Sequence, residues 1–242
     1  MEKIFIQVLL VVTVSRVFGK YVYKREEKTW TDAQRYCRQH YTELAPVSGP
    51  EDDLKLKDIA GGSFPLKFHW IGLYREPNDF TGWKWSDGGS ATYLNFSLGN
   101  PTNEPSQNFV SLGDSGWYNT LNYPGYFFCL SLFVVTEPKT WEEALEYCRE
   151  QYTDLTSLLS ETEMLLAHRE IQEQAQTALV WTGLRFLGDR WLWVNGDPLD
   201  YQAWPPGGGH QCPARNLRCG AVGTAGHWEA HDCQERLSFI CY

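Results

Sequence analysis

Between residues 210 and 233 the chain gathers His210, Cys212, Cys219, His227, His231 and Cys233, a density of soft ligands that suits a zinc ion. Zinc requires thiolates and neutral imidazoles converging in a tetrahedron. The same residues also suit a disulfide with histidines on neighbouring loops, and the choice between the two turns on the redox compartment. Elsewhere there is no Gly-x-Ser-x-Gly nucleophile motif and no glycine-rich phosphate loop, so no catalysis is expected.

The compartment is read from the first nineteen residues. Met1-Glu2-Lys3 precedes an apolar run, Ile4 to Val14, followed by Arg16 and Val17-Phe18-Gly19. This is a secretory signal with a cut expected after Gly19. The run is too short to span a bilayer, which takes roughly 20 residues, and no later segment is apolar enough. A soluble, secreted, extracellular product is expected. Its seven cysteines then read as disulfides rather than zinc ligands, and no metal is assigned. Cys37 and Cys129 bracket one half, Cys148 and Cys241 the other, with Cys219 and Cys233 added to the second. Cys212 is left over, open to an intermolecular bond, a pairing with Cys219, or a buried free thiol. The formal charge is −9, or −10 once Glu2, Lys3 and Arg16 are removed. That balance argues against nucleic acid, whose affinity rests on Lys and Arg at phosphates, and against anionic membrane surfaces.

The elements that must position these residues occur twice. Trp30, Trp70 and Trp117 recur as Trp141, Trp181 and Trp228, and Trp83 and Trp85 as Trp191 and Trp193. Lys28–Cys37 matches Lys139–Cys148, Trp70–Leu73 matches Trp181–Leu184, and Phe127–Cys129 matches Phe239–Cys241. A period this long means two copies of a whole domain. Each copy opens with a strand and a helix started at Thr29 with Asp32, or Thr140 with Glu143. A second helix is expected from Ser48 with Glu51, and from Ser160 with Glu163, where Met164, Leu165, His168 and Ile171 form an apolar stripe. Period-two strands follow at Trp83–Trp85 and Trp191–Trp193. Two long stretches, 96–108 and 203–218, carry little periodicity and are the places to expect function. No Pro/Gly linker separates the copies, which predicts limited freedom between them. The tryptophans are expected in the core, and Trp204, opposite Phe96 in the other copy, is read as packing.

This order of elements, ending in Cys219, Trp228, Cys233 and Phe239-Ile-Cys241, resembles the C-type lectin domain over nearly all of residues 20–242. The resemblance implies an α+β fold of two tandem C-type lectin-like domains, each with two helices, small antiparallel sheets and a long loop region, stapled by disulfides. The boundaries are 1–19 for the signal, 20–130 and 131–242 for the domains. It also implies the pairs Cys148–Cys241 and Cys219–Cys233. Sugar-binding members hold calcium through a Glu-Pro-Asn or Gln-Pro-Asp triplet, a following Glu and a Trp-Asn-Asp triplet. Calcium wants six to eight oxygens, carboxylates above all. Here the first copy reads Asn100-Pro101-Thr102, Gln107 and Trp117-Tyr118-Asn119, with Glu104 and Asp114 the nearby substitutes. The second reads Pro206-Gly-Gly-Gly-His210-Gln211, Leu217 and Trp228-Glu229-Ala230. The expected cofactor is therefore none, with calcium admitted only through substitute ligands. The resemblance implies a secreted, non-catalytic, carbohydrate-binding protein, whose partners are extracellular glycans or glycoproteins. The alternative is a calcium-independent protein-binding module. Ligand contacts are expected from Asn100, Thr102, Asn103, Glu104, Tyr118 and Asn119. Asn95-Phe96-Ser97 marks Asn95 for glycosylation.

Overall fold

A computed structural model describes residues 19–64, 67–77, 79, 82–207 and 213–242. In the first copy the order is β1 (Tyr21–Lys28), α1 (Trp30–His40), β2 (Glu43–Leu44), α2 (Pro50–Ala60), β3 (His69–Arg75), β4 (Trp83–Trp85), β5 (Phe109–Gly113), β6 (Gly116–Thr120) and β7 (Gly125–Leu130). The second copy repeats it with β8 (Phe133–Lys139), α3 (Trp141–Gln151), α4 (Glu161–Gln174), β9 (Leu179–Leu187), β10 (Arg190–Trp193), β11 (Cys219–Gly223), β12 (Trp228–His231) and β13 (Leu237–Cys241). The sheets run β1-β7-β3-β5-β6 and β12-β11-β9-β13-β8. Pairing is antiparallel except for one parallel pair in each, β3 with β7 and β9 with β13. Those strands are far apart in sequence, so a long connection is available to bring them side by side in the same direction.

Local chemistry sets the helix starts. Thr140 and Glu143 form a complete capping box, and Ser160 Oγ accepts from Glu163 N. Thr29 Oγ1 accepts from Asp32 N, but Asp32 turns its carboxylate to the Thr29 hydroxyl and Arg35. The second helix departs from expectation. Its cap is Gly49, Pro50 takes the first turn, and Asp52 rather than Glu51 reaches back to Ser48 N at 2.9 Å. Pro at the first position needs no amide partner, which lets the helix begin without a side-chain cap.

The tryptophans hold both cores together in matched fashion. Trp30 Nε1 donates to Ile71 O and Trp141 Nε1 to Thr182 O; Trp70 Nε1 donates to Lys28 O and Trp181 Nε1 to Lys139 O. Phe96 packs on Trp83 and Trp117, and Trp204 on Trp191 and Trp228, so Trp204 is a packing residue. Disulfides join Cys37–Cys129, Cys148–Cys241 and Cys219–Cys233.

The two copies are not beads on a string. One apolar cluster runs through both, from Tyr21 and Leu56 to Met164 and Ile171. Lys20 Nζ reaches Glu163 Oε2 at 2.6 Å and Ser157 O at 3.0 Å, and Ser48 Oγ meets Ser160 Oγ at 2.8 Å. Lys55 pairs with Asp197, and Arg169 donates to Thr42 O. On α4 the expected stripe is corrected: Leu165 is exposed, while Leu166 and Ala167 are buried with Met164 and Ile171 in the cluster that both copies share.

Candidate functional site

The long loop of the first copy is built around Asn119. Strand alternation on β6 turns Trp117 and Asn119 to one face and Tyr118 to the other. Asn119 is 4% exposed. Its Oδ1 accepts from Thr102 N at 2.7 Å, and its Nδ2 donates to Thr102 O at 3.0 Å, Thr102 Oγ1 at 3.1 Å and Gln107 O at 2.8 Å. Thr102 Oγ1 also donates to Gln107 Oε1. Asn100 Nδ2 donates to Ser97 Oγ at 3.1 Å. The structure therefore joins Thr102, Gln107 and Asn119 in one network that fixes the shape of the loop, while Asn100 is held apart from it by Ser97. Asn103 and Glu104 project from it as exposed side chains. Tyr118 does not share that surface: its hydroxyl lies 3.4 Å from Ser111 Oγ and its ring packs on Phe68.

Two anchors of this loop escaped the sequence reading. Arg75, at the end of β3 and 1% exposed, donates from Nη2 to Glu104 O at 2.7 Å and from Nε to Asn108 Oδ1 at 3.1 Å, with its guanidinium over Trp83. Asn108 Nδ2 in turn donates to Pro105 O. The second anchor is Asp53 on α2. It accepts from Trp117 Nε1 at 2.7 Å, Tyr93 Oη at 2.8 Å and Asn95 Nδ2 at 2.9 Å, and burial pushes its carboxyl up. The second copy supplies the only signal for either: Phe186 stands where Arg75 does, and Met164 Sδ accepts from Trp228 Nε1 where Asp53 accepts from Trp117.

The oxygens that a calcium ion would need are engaged or apart in this loop. Its amide and hydroxyl oxygens face one another in hydrogen bonds, and the two candidate carboxylates lie apart. Glu104 precedes β5 while Asp114 follows it, bonded to Phe64 N and Lys57, so a five-residue strand of roughly 15 Å separates them. In the second copy Glu229 lies beside His231, which also meets Glu235. Cys219 and Cys233 share a bond and so offer no thiolates to a metal, although Glu142 lies close to both. His210, Gln211 and Cys212 lie outside the described residues. Among the described residues no helix is long and apolar enough to cross a membrane.

Comparison with known proteins agrees with this architecture. A family model described as Lectin C-type domain matches residues 26–129 and 137–242, and the chain belongs to the C-type lectin family. It is similar to Lymphocyte antigen 75 of Homo sapiens, 22% identical over 88% of this chain and 14% of that protein. It is also similar to the Secretory phospholipase A2 receptor of Bos taurus, 25% identical over 93% of this chain and 18% of that protein. The chain thus spans less than a fifth of the length of these relatives. Among solved structures, human lithostathine matches 46% of this chain and 88% of its own at 24% identity, with a TM-score of 0.41.

Proposed function

We propose that this tandem C-type lectin chain is a secreted, non-catalytic recognition protein that binds carbohydrate on extracellular glycans or glycoproteins, without calcium, through the loop of its first copy. The observation that carries the reading is the preorganised loop. Asn119, Thr102, Gln107 and Arg75 use their polar atoms to hold a fixed frame, from which Asn103 and Glu104 present an amide and a carboxylate. An amide and a carboxylate together donate to and accept from sugar hydroxyls with no metal between them. Ordering such groups before the ligand arrives lowers the entropic cost of binding. The frame is read as a binding surface rather than a catalytic one.

A glycan array on the purified protein, run in calcium and in EDTA, tests the reading. Signal unchanged by EDTA supports it, and signal abolished by EDTA overturns the calcium-independent mode. Asn103→Ala is expected to weaken binding about tenfold, as the loss of one hydrogen bond does, with the fold intact. Asn119→Ala instead costs the first copy about 1–3 kcal/mol, because it strands Thr102 and Gln107.

A second reading is a protein ligand. Saturation of Asn119 by its own loop favours it, and the Secretory phospholipase A2 receptor is by its name a receptor for a protein. A blank array under both conditions selects this reading.

A further inference from the structure

We infer that Asn95 carries an N-linked glycan that covers the two exposed leucines beside it. The inference rests on the secretory route proposed above. Asn95-Phe96-Ser97 sits on the approach to the long loop, and Asn95 is exposed. Leu94 and Leu98 flank it with 45% and 104% of their surface in solvent, unusual for large aliphatic side chains so close together in sequence. The second copy supplies the control. There Ala203 takes the place of Asn95, since its carbonyl accepts from Trp228 N as the Asn95 carbonyl accepts from Trp117 N. Gln202, Pro205 and Pro206 then stand for Leu94, Ser97 and Leu98. Sequon and exposed leucines occur together in one copy and are absent together from the other, as expected if the sugar is the cover for the leucines.

In the folded chain Asn95 Nδ2 donates to Asp53 Oδ2, and the backbone on either side of Phe96 is pinned to Trp117, which fixes where an attached sugar would lie. In the modification Nδ2 bonds to the anomeric carbon of an oligosaccharide carried on a polyprenyl diphosphate. The carbon–oxygen bond to the diphosphate breaks, the diphosphate leaves with the electron pair, and Nδ2 gives up one proton to a carboxylate base of the transferring enzyme while keeping the other. The retained N–H still has Asp53 as its acceptor. In the folded chain Ser97 Oγ is committed to Trp117 O at 3.0 Å and to Asn100, so transfer belongs to the chain before the first copy closes.

The full chain is expressed in animal cells, and protein from medium and lysate is weighed intact before and after peptide-N-glycosidase. The expected result is a mass above that of the polypeptide, removed by the enzyme and absent from Asn95→Gln. Polypeptide mass in the medium overturns the inference and leaves secretion standing. Unmodified protein confined to the lysate overturns both. Deglycosylation of the folded protein is then followed by binding of an apolar dye. Increased dye binding is expected from the uncovered leucines, abolished by Leu94→Gln with Leu98→Pro. Unchanged dye binding overturns their coverage.

Discussion

His69 illustrates what a single buried residue does to a fold. It lies at the start of β3 with no exposed surface, enclosed by the rings of Tyr23, Phe64 and Tyr126. Burial pushes its imidazole below the ordinary value, with a backbone hydrogen bond at Lys67 and the charge of Asp114 opposing only in part. The folded chain therefore holds this proton less tightly than the unfolded chain. Stability from the neutral ring is complete above the unfolded value of about 6.5 and is lost as pH falls below it. Val180 occupies the same place in the second copy. His69→Val is accordingly expected to narrow the gap in urea midpoint between about pH 7.5 and about pH 5, and an unchanged gap would place the acid sensitivity elsewhere. Nothing in the sequence flagged His69 or Asp53, since their surroundings come from segments distant along the chain. The tryptophans were legible for the opposite reason: each appears twice with its flanks, and chance does not repeat a packing residue in that way.

At the scale of elements, repetition made helices, hairpins and cysteine pairs readable, while partners across the sheet stayed hidden. The glycine of Trp70–Leu73 and of Trp181–Leu184 shows both sides. The sequence repeats it; only the fold gives the reason. A Cβ on Gly72 would lie 2.6 Å from Leu44 O, and one on Gly183 2.9 Å from Leu155 O, because the glycine amide bonds to the carbonyl of the next residue, Ala45 or Thr156, and draws that segment close. The obstacle is main chain, which cannot rotate away. Gly72→Ala is expected to destabilise the first copy by about 1–3 kcal/mol, measured by urea unfolding with Gly49→Ala, where no atom lies within 4 Å, as the comparison. Equal losses would mean that backbone freedom, not crowding, is what glycine supplies. The disulfide Cys219–Cys233 belongs to the same scale. It ties β11 to the residues after β12, closing a loop of 14 residues, and Cys219→Phe with Cys233→Leu is expected to cost roughly 3 kcal/mol by chain entropy, less whatever the new side chains regain in packing.

For the whole molecule the decisive contact is the buried pair between Lys20 and Glu163, 4% and 0% exposed, which joins the residue just before β1 of one copy to the second helix of the other. The sequence predicted restricted freedom from the missing linker but offered no hint of the pair, since its partners are 143 residues apart. Desolvating both charges is expensive, and Glu163 Oε1 finds no hydrogen-bond partner among the described residues, so the pair is a poor source of stability in itself. Ser48 meets Ser160 and Lys55 meets Asp197 across the same junction, so what the pair is expected to supply is register. Lys20→Met alone leaves the Glu163 carboxylate buried and unpaired, and is expected to cost about 3–5 kcal/mol. Adding Glu163→Leu is expected to recover most of that loss, because two apolar side chains suit the surrounding cluster of Tyr21, Leu158 and Met164. Urea unfolding of the single and double variants, followed by fluorescence of tryptophans in each copy, separates stability from docking. One shared transition in the double variant means the apolar cluster alone holds the copies together. Two transitions mean the charges were specifying how they fit, and any avidity between the two loops depends on that pair.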